Sequence, residues 1–213
     1  MTEFNGVKLI GDVMSISKTG FVLKVENESL NGETYTELIT IGMPKKAQPK
    51  WLEAGVKAAV KGALGQKGDK QLVNAMEVTE QDPDSEYLNI VRLIGQVKFP
   101  FQYWSKSEGK QPFGNLAVGV AKSIFRGVLF GALATTFSRV VKRGQTVQIQ
   151  GFLRNREFET RTGTKRSALE IIADPDWCEI LSAGSDAFAD FNEPAHDLAA
   201  GEGYDSVTNT PAF

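Results

Sequence analysis

The chain has 213 residues, 41% of them hydrophobic, which is enough for one large core or two small ones. It contains no apolar run near the ~18 residues of a membrane span and no recognisable secretory signal, and its single cysteine, Cys178, excludes an intrachain disulfide. The formal net charge of −2 is unevenly distributed: residues 88–182 carry 14 Lys and Arg against 7 Asp and Glu, and residues 183–213 carry six acids and no Lys or Arg. This pattern predicts an anion-binding domain and an acidic segment that competes for its surface.

The first part of the chain, residues 1–79, contains five short runs with strand character, separated by turn residues. Residues 80–87 follow; they are polar, acidic and interrupted by Pro83, which is typical of a linker. We therefore expect a first module of five strands: Val7–Ile16, Phe21–Val25, Thr34–Ile41, Lys57–Leu64 and Gln71–Val78.

Residues 88–182 show the same order of runs. A helix is predicted at Ala132–Lys142, because its apolar residues fall on one face and Arg143-Gly144 follows them. Five strands with a helix between the third and fourth is the pattern of an OB fold. The predicted strands are Asn89–Lys98, Gly114–Ala121, Ile124–Phe130, Thr146–Arg154 and Ser167–Ala173.

The two modules share an internal repeat. Lys8–Val13 (KLIGDV) matches Arg92–Val97 (RLIGQV), and Gly55–Leu64 matches Gly144–Leu153 in the same order. The nearly constant spacing predicts that one module was duplicated. After residue 182 the chain lacks periodicity, and we expect it to be disordered. The predicted fold is therefore all-β, with two tandem five-stranded OB barrels, a short helix between strands 3 and 4 of the second, and a disordered acidic C-terminal tail at residues 183–213.

Six segments of the second module carry a family resemblance: Asn89–Gly95, Asn115–Ala121, Val128–Gly131, Val141–Arg154, Arg156–Phe158 and Gly163–Arg166. In these segments the module resembles bacterial-type single-stranded DNA-binding proteins. The family also ends in an acidic tail with a terminal Pro-Phe, and here Pro211-Ala212-Phe213 closes an acidic segment, so the resemblance implies that these three residues bind partner proteins.

The resemblance also bears on the aromatic residues. Phe158 falls where the family has a stacking tryptophan, and Phe130 where it has a base-contacting phenylalanine. An ungapped alignment places another stacking tryptophan at Ile124, one position before Phe125. Either a gap or bulge brings Phe125 to that site, or the stacking position is lost, because successive strand residues face opposite sides.

Binding of single strands requires a positive groove for phosphates and exposed rings for unpaired bases. The second module has both, while Phe113, Phe137 and Phe152 are expected to fill its core. The candidate nucleic-acid contacts are Phe101, Tyr103, Trp104, Lys106, Lys110, Phe125, Arg126, Phe130, Arg154, Arg156, Phe158, Arg161, Lys165 and Arg166.

Enzymatic chemistry is not expected, because the one histidine, His196, lies in the tail and leaves no metal cluster or histidine-based triad. The prediction is sequence-independent binding and protection of single-stranded DNA in replication, recombination or repair, in the cytoplasm and without cofactor, metal or membrane contact. The tail would recruit replication or repair proteins, and the chain would form a homodimer. Two alternatives stay open: an OB-fold scaffold, and an RNA-binding protein in a replication or translation assembly.

Overall fold

The computed structural model describes residues 2–28, 34–67, 70–105, 111–159, 163 and 165–182. The predicted acidic tail therefore lies outside the described residues. Where the chain is described, it is mostly β-strand, with one α-helix and two short 3-10 turns, at Lys45–Ala47 and Pro175–Trp177. This confirms the predicted all-β class.

The first five strands close into a barrel. Strand 1 pairs with strand 2, 2 with 3, 3 with 5 in parallel, 5 with 4, and 4 with 1, which is the OB order. Alternate side chains such as Leu23, Ile39 and Val60 fill its interior. The strands are β1 (Phe4–Ser17), β2 (Gly20–Glu28), β3 (Thr34–Gly42), β4 (Lys57–Lys67) and β5 (Lys70–Glu80).

The second barrel repeats this topology and adds three elements. Helix α1 (Gly131–Val140) lies between its third and fourth strands, as predicted, but ends two residues earlier because Val141 is extended. Two short strands flank the barrel: β7 (Gln102–Trp104) pairs with β8, and β12 (Glu179–Ser182) pairs with β10. The five barrel strands are β6 (Leu88–Val97), β8 (Phe113–Val120), β9 (Ser123–Phe130), β10 (Thr146–Glu159) and β11 (Lys165–Ala173).

The first strands of the two barrels pair with each other, so one sheet runs through both. The antiparallel β1–β6 ladder extends from Phe4 opposite Ile94 to Ile10 opposite Leu88. At its centre Val7 faces Val91, and these two valines occupy the same position in the sequence repeat. A pseudo-two-fold axis therefore passes between them.

A pair of asparagines shows the duplication at atomic detail. Asn5 donates to the carbonyl of Leu64 and accepts from its backbone N–H, both at 2.9 Å. Asn89 does the same with Leu153, at 2.8 and 2.9 Å. Each asparagine replaces ladder bonds where the first and fourth strands of its barrel diverge, and both pairs occupy equivalent positions in the two barrels.

A second contact joins β3 of the first barrel to β10 of the second. The rings of Tyr35 and Phe152 lie 6.1 Å apart, and the Glu37 carboxylate accepts the Asn155 backbone N–H at 2.7 Å. Burial raises the pKa of Glu37, although the Asn155 hydrogen bond and nearby Arg154 oppose the shift. The outer side of β10 is therefore partly covered by the first barrel.

Candidate nucleic-acid interface

The outer face of the β8–β9 hairpin is the surface through which OB folds bind oligonucleotides. Strand alternation directs Leu116 and Val118 into the core. The alternate residues of β8, Phe113, Asn115 and Ala117, lie on the outer side, where Phe113 pairs with Phe130 and Ala117 with Arg126.

An aromatic row crosses three neighbouring strands on this face. Trp104 of β7 pairs in register with Phe113 of β8, which pairs with Phe130 of β9. The rings of Trp104 and Phe113 are 4.9 Å apart and 11° from parallel, and the Phe113 and Phe130 centroids are 6.4 Å apart. All three side chains are half-buried, so the row presents aromatic surface beside the barrel.

The prediction placed Phe113 in the core, and the structure corrects it. Phe113 precedes the buried pair Gly114 and Leu129 and shares its side of the strand with Asn115 and Ala117. The signal that could have revealed this is the alternation against Leu116. Of the other expected core residues, Phe137 is buried and Phe152 packs at the contact between barrels.

The predicted base contact at Phe125 is wrong, and the ring of Phe101 is partly buried against the core. Phe125 is only 2% exposed and packs in the hydrophobic core, because β8 and β9 pair without a bulge and leave Ile124 on the outer face. Phe101 packs against Phe137, and a side chain at Gly114 would collide with its ring. Both rings therefore stabilise the barrel.

Two other aromatic residues predicted to contact bases lie outside the aromatic row. Tyr103 is 37% exposed, but its hydroxyl lies 3.3 Å from that of Thr135 in α1, on the opposite side of β7 from Trp104. Phe158 lies near the end of β10, with the Arg156 guanidinium 5.3 Å from the centre of its ring.

Three predicted phosphate contacts surround one buried carboxylate. Glu170 on β11 is 1% exposed and lies 3.2 Å from Arg126, 3.2 Å from Arg154 and 3.9 Å from Arg156. The arginine side chains keep 21–29% of their surface exposed, so Glu170 holds them at the surface while offsetting one of their three charges. A carboxylate that accepts several guanidinium bonds fixes their positions.

The remaining predicted contacts are only partly described. The backbones of Lys165 and Arg166 belong to β11, next to the end of β10. The other predicted contacts lie outside the described residues: Lys106, Lys110, Arg161, Pro211, Ala212 and Phe213.

The first barrel presents a different chemistry on the equivalent face. In each barrel the third and fifth strands form two parallel residue pairs. When the pairs of the two barrels are aligned, Thr40 takes the position of Arg126 and Leu72 that of Glu170. The outward side chains of its β2–β3 hairpin include no ring, and Lys24 pairs with Glu26 at 2.8 Å. Among the described residues, the aromatic row and the arginine cluster belong to the second barrel alone.

Cys178 is half-buried against the core, and burial raises the pKa of its thiol to about 11. The thiol is therefore protonated at neutral pH and a poor nucleophile.

The described residues contain no helix with the length and hydrophobicity of a membrane span.

Comparison with known proteins agrees with this geometry. Residues 114–179 match the single-strand binding protein family. The wild-type single-stranded DNA binding protein from Thermus aquaticus superposes with a TM-score of 0.70 at 17% identity, covering 87% of this chain and 96% of that one. A deletion mutant of the Thermus aquaticus protein gives 0.66 at 17% identity, covering 86% and 97%. A search of curated proteins finds no significant match. The family match confirms the resemblance found in the second module over residues 114–179, and the structural similarity confirms the OB fold.

Proposed function

We propose that the protein binds and protects single-stranded DNA without sequence preference, through the outer face of the β8–β9 hairpin. The observation that carries the proposal is the aromatic row Trp104–Phe113–Phe130 on the same barrel face as the Glu170 arginine cluster. Bases stack on aromatic rings at ~1–3 kcal/mol each, and every base has a face to stack, which makes such binding tolerant of sequence.

The second barrel is the main binding module in this proposal. Its arginines supply phosphate contacts, whereas the first barrel has Thr40 and Leu72 at matching positions. Residues 88–182 also carry a net charge of +7, which attracts a polyanion.

The test is a titration of the full chain with oligo-dT, oligo-U and duplex DNA at two salt concentrations. Oligo-dT is expected to bind far more tightly than duplex, because paired bases hide the faces that stack. Its log affinity should fall with log salt by about 0.7 per neutralised phosphate. Equal affinity for duplex and oligo-dT would overturn the proposal, and a preference for oligo-U would identify RNA as the ligand.

The proposal extends to replication, recombination or repair in the cytoplasm, where single strands arise. The acidic residues 183–213 would occupy the basic face when DNA is absent and, once released, present Pro211, Ala212 and Phe213 to partner proteins.

The proposal also includes a homodimer with the less basic first module at the interface, supported by the exposed apolar residues Met14 and Leu38. Light scattering distinguishes that dimer from the 23.3 kDa monomer.

A further inference from the structure

A pocket of about 240 Å³ opens on the outer face of β8–β9, where the second barrel meets the first. Its volume is about eight times the ~30 Å³ that a water molecule takes in the liquid. Gln71 of the first barrel lies at its edge and is 3.5 Å from the Ile124 carbonyl oxygen. The apolar residues that line it from the outer face are Phe99, Pro100, Ala117, Ile124, Ala168 and Leu169.

The Asn115 side chain lines this pocket and has no partner of its own. Asn115 is 5% exposed, and both its Nδ2 and its Oδ1 are buried without a hydrogen bond. Leaving a buried polar group unsatisfied destabilises the folded state. A ligand in the pocket that bonds to this amide would remove that destabilisation.

The chemistry of the pocket fits a nucleobase better than a phosphate. A carboxamide offers one donor and one acceptor side by side, and the edges of nucleobases carry neighbouring acceptors and donors, as adenine does with N7 and N6. The apolar walls suit a flat neutral ring, and the two charged residues of the lining, Arg126 and the buried Glu170, pair with each other at 3.2 Å.

We propose that this pocket takes the edge of one base of the bound strand, and that Asn115 forms two hydrogen bonds with it. This inference rests on the proposed single-strand binding and adds a base-edge contact to it. Rotating the amide by 180° exchanges donor and acceptor, so any of the bases can be accommodated. The pocket therefore registers the presence of a base without selecting its identity.

The test compares Asn115→Leu with Asn27→Leu in the full chain. Asn27 in the first barrel also has a buried Nδ2 without a partner, but it does not line the pocket, so it is a matched control. Removing either amide should raise the melting temperature or leave it unchanged, because an unsatisfied polar group is lost. Only Asn115→Leu should weaken oligo-dT binding, by about tenfold for two lost hydrogen bonds.

A change in the DNA tests the same contact in the unmodified protein. Methylation of thymine N3 blocks the base edge and leaves the phosphates and the stacking face in place. N3-methylated oligo-dT should bind the wild type and Asn27→Leu about tenfold more weakly than unmodified oligo-dT does. Asn115→Leu should bind the methylated and the unmodified oligo-dT equally well. Equal losses in all three proteins, or unchanged oligo-dT affinity in Asn115→Leu, would overturn the inference. A wild type that fails to bind oligo-dT would instead overturn the proposed function.

Discussion

Glu37 is a buried carboxylate at the contact between the barrels, and burial raises its pKa. The folded protein therefore holds the proton on Glu37 more tightly than the unfolded chain does. The stability contribution of Glu37 is then greatest below the ordinary value of 4.5 and falls as the pH rises through the raised folded-state pKa. The position is a source of pH dependence within the fold.

Replacing Glu37 with Gln keeps an oxygen that accepts the Asn155 N–H and removes the titration. We expect Glu37→Gln to unfold at a higher temperature than the wild type at pH 7 and at a similar temperature near pH 4. Thermal unfolding followed by circular dichroism at both pH values measures this. The exposed Glu157→Gln is the control, and a Glu37→Gln effect of the same size at both pH values would contradict the argument.

At individual positions, sequence reasoning finds the ingredients of the site more reliably than their orientation. Ile124 and Phe125 are both apolar neighbours in one strand, so alternation requires that they face opposite sides but does not decide which faces in. The unbroken β8–β9 register decides it, since Phe125 packs inward opposite Val118. The role of Glu170 as the common partner of three arginines is visible only once β9, β10 and β11 lie side by side.

At the scale of elements, the aromatic row makes the sharpest prediction. Trp104→Ala and Phe130→Ala should each weaken oligo-dT binding by ~1–3 kcal/mol, because each removes a stacking surface. Tyr103→Ala is the control: it neighbours Trp104 on the same strand but faces α1, and its affinity should equal that of the wild type. Fluorescence anisotropy with labelled oligo-dT measures all three, and a loss in Tyr103→Ala equal to that in Trp104→Ala would argue against the row.

The ten barrel strands and the helix were predictable, because alternation and turn residues are local signals. Strands β7 and β12 were not, since they have three and four residues and form through pairing with β8 and β10. The β1–β6 ladder was also beyond prediction: its partners are distant in sequence, and either strand would satisfy its pattern equally well at the edge of a separate barrel. The equivalent hydrogen bonds of Asn5 and Asn89 were not predicted either, because the two residues lie outside the repeated segments.

For the whole molecule, the charge division makes a prediction about residues 183–213. Deleting them removes six acids and no Lys or Arg, so binding of oligo-dT should tighten, most strongly at low salt where charges are least screened. It should also abolish capture of replication or repair proteins, and removing Phe213 alone should weaken capture without changing DNA affinity. A variant with the six acids changed to Asn or Gln separates charge from length. Unchanged DNA binding and unchanged capture after the deletion would reject both roles.

The Val7–Val91 axis places two barrels around a junction of the kind that two identical subunits would form. In an assembly of identical chains, one substitution changes every barrel. In this chain, one substitution changes only one of the two barrels. One face can therefore carry Thr40 and Leu72 while the equivalent face carries Arg126 and Glu170. Covalent linkage gives the two halves of a symmetric scaffold separate evolutionary histories.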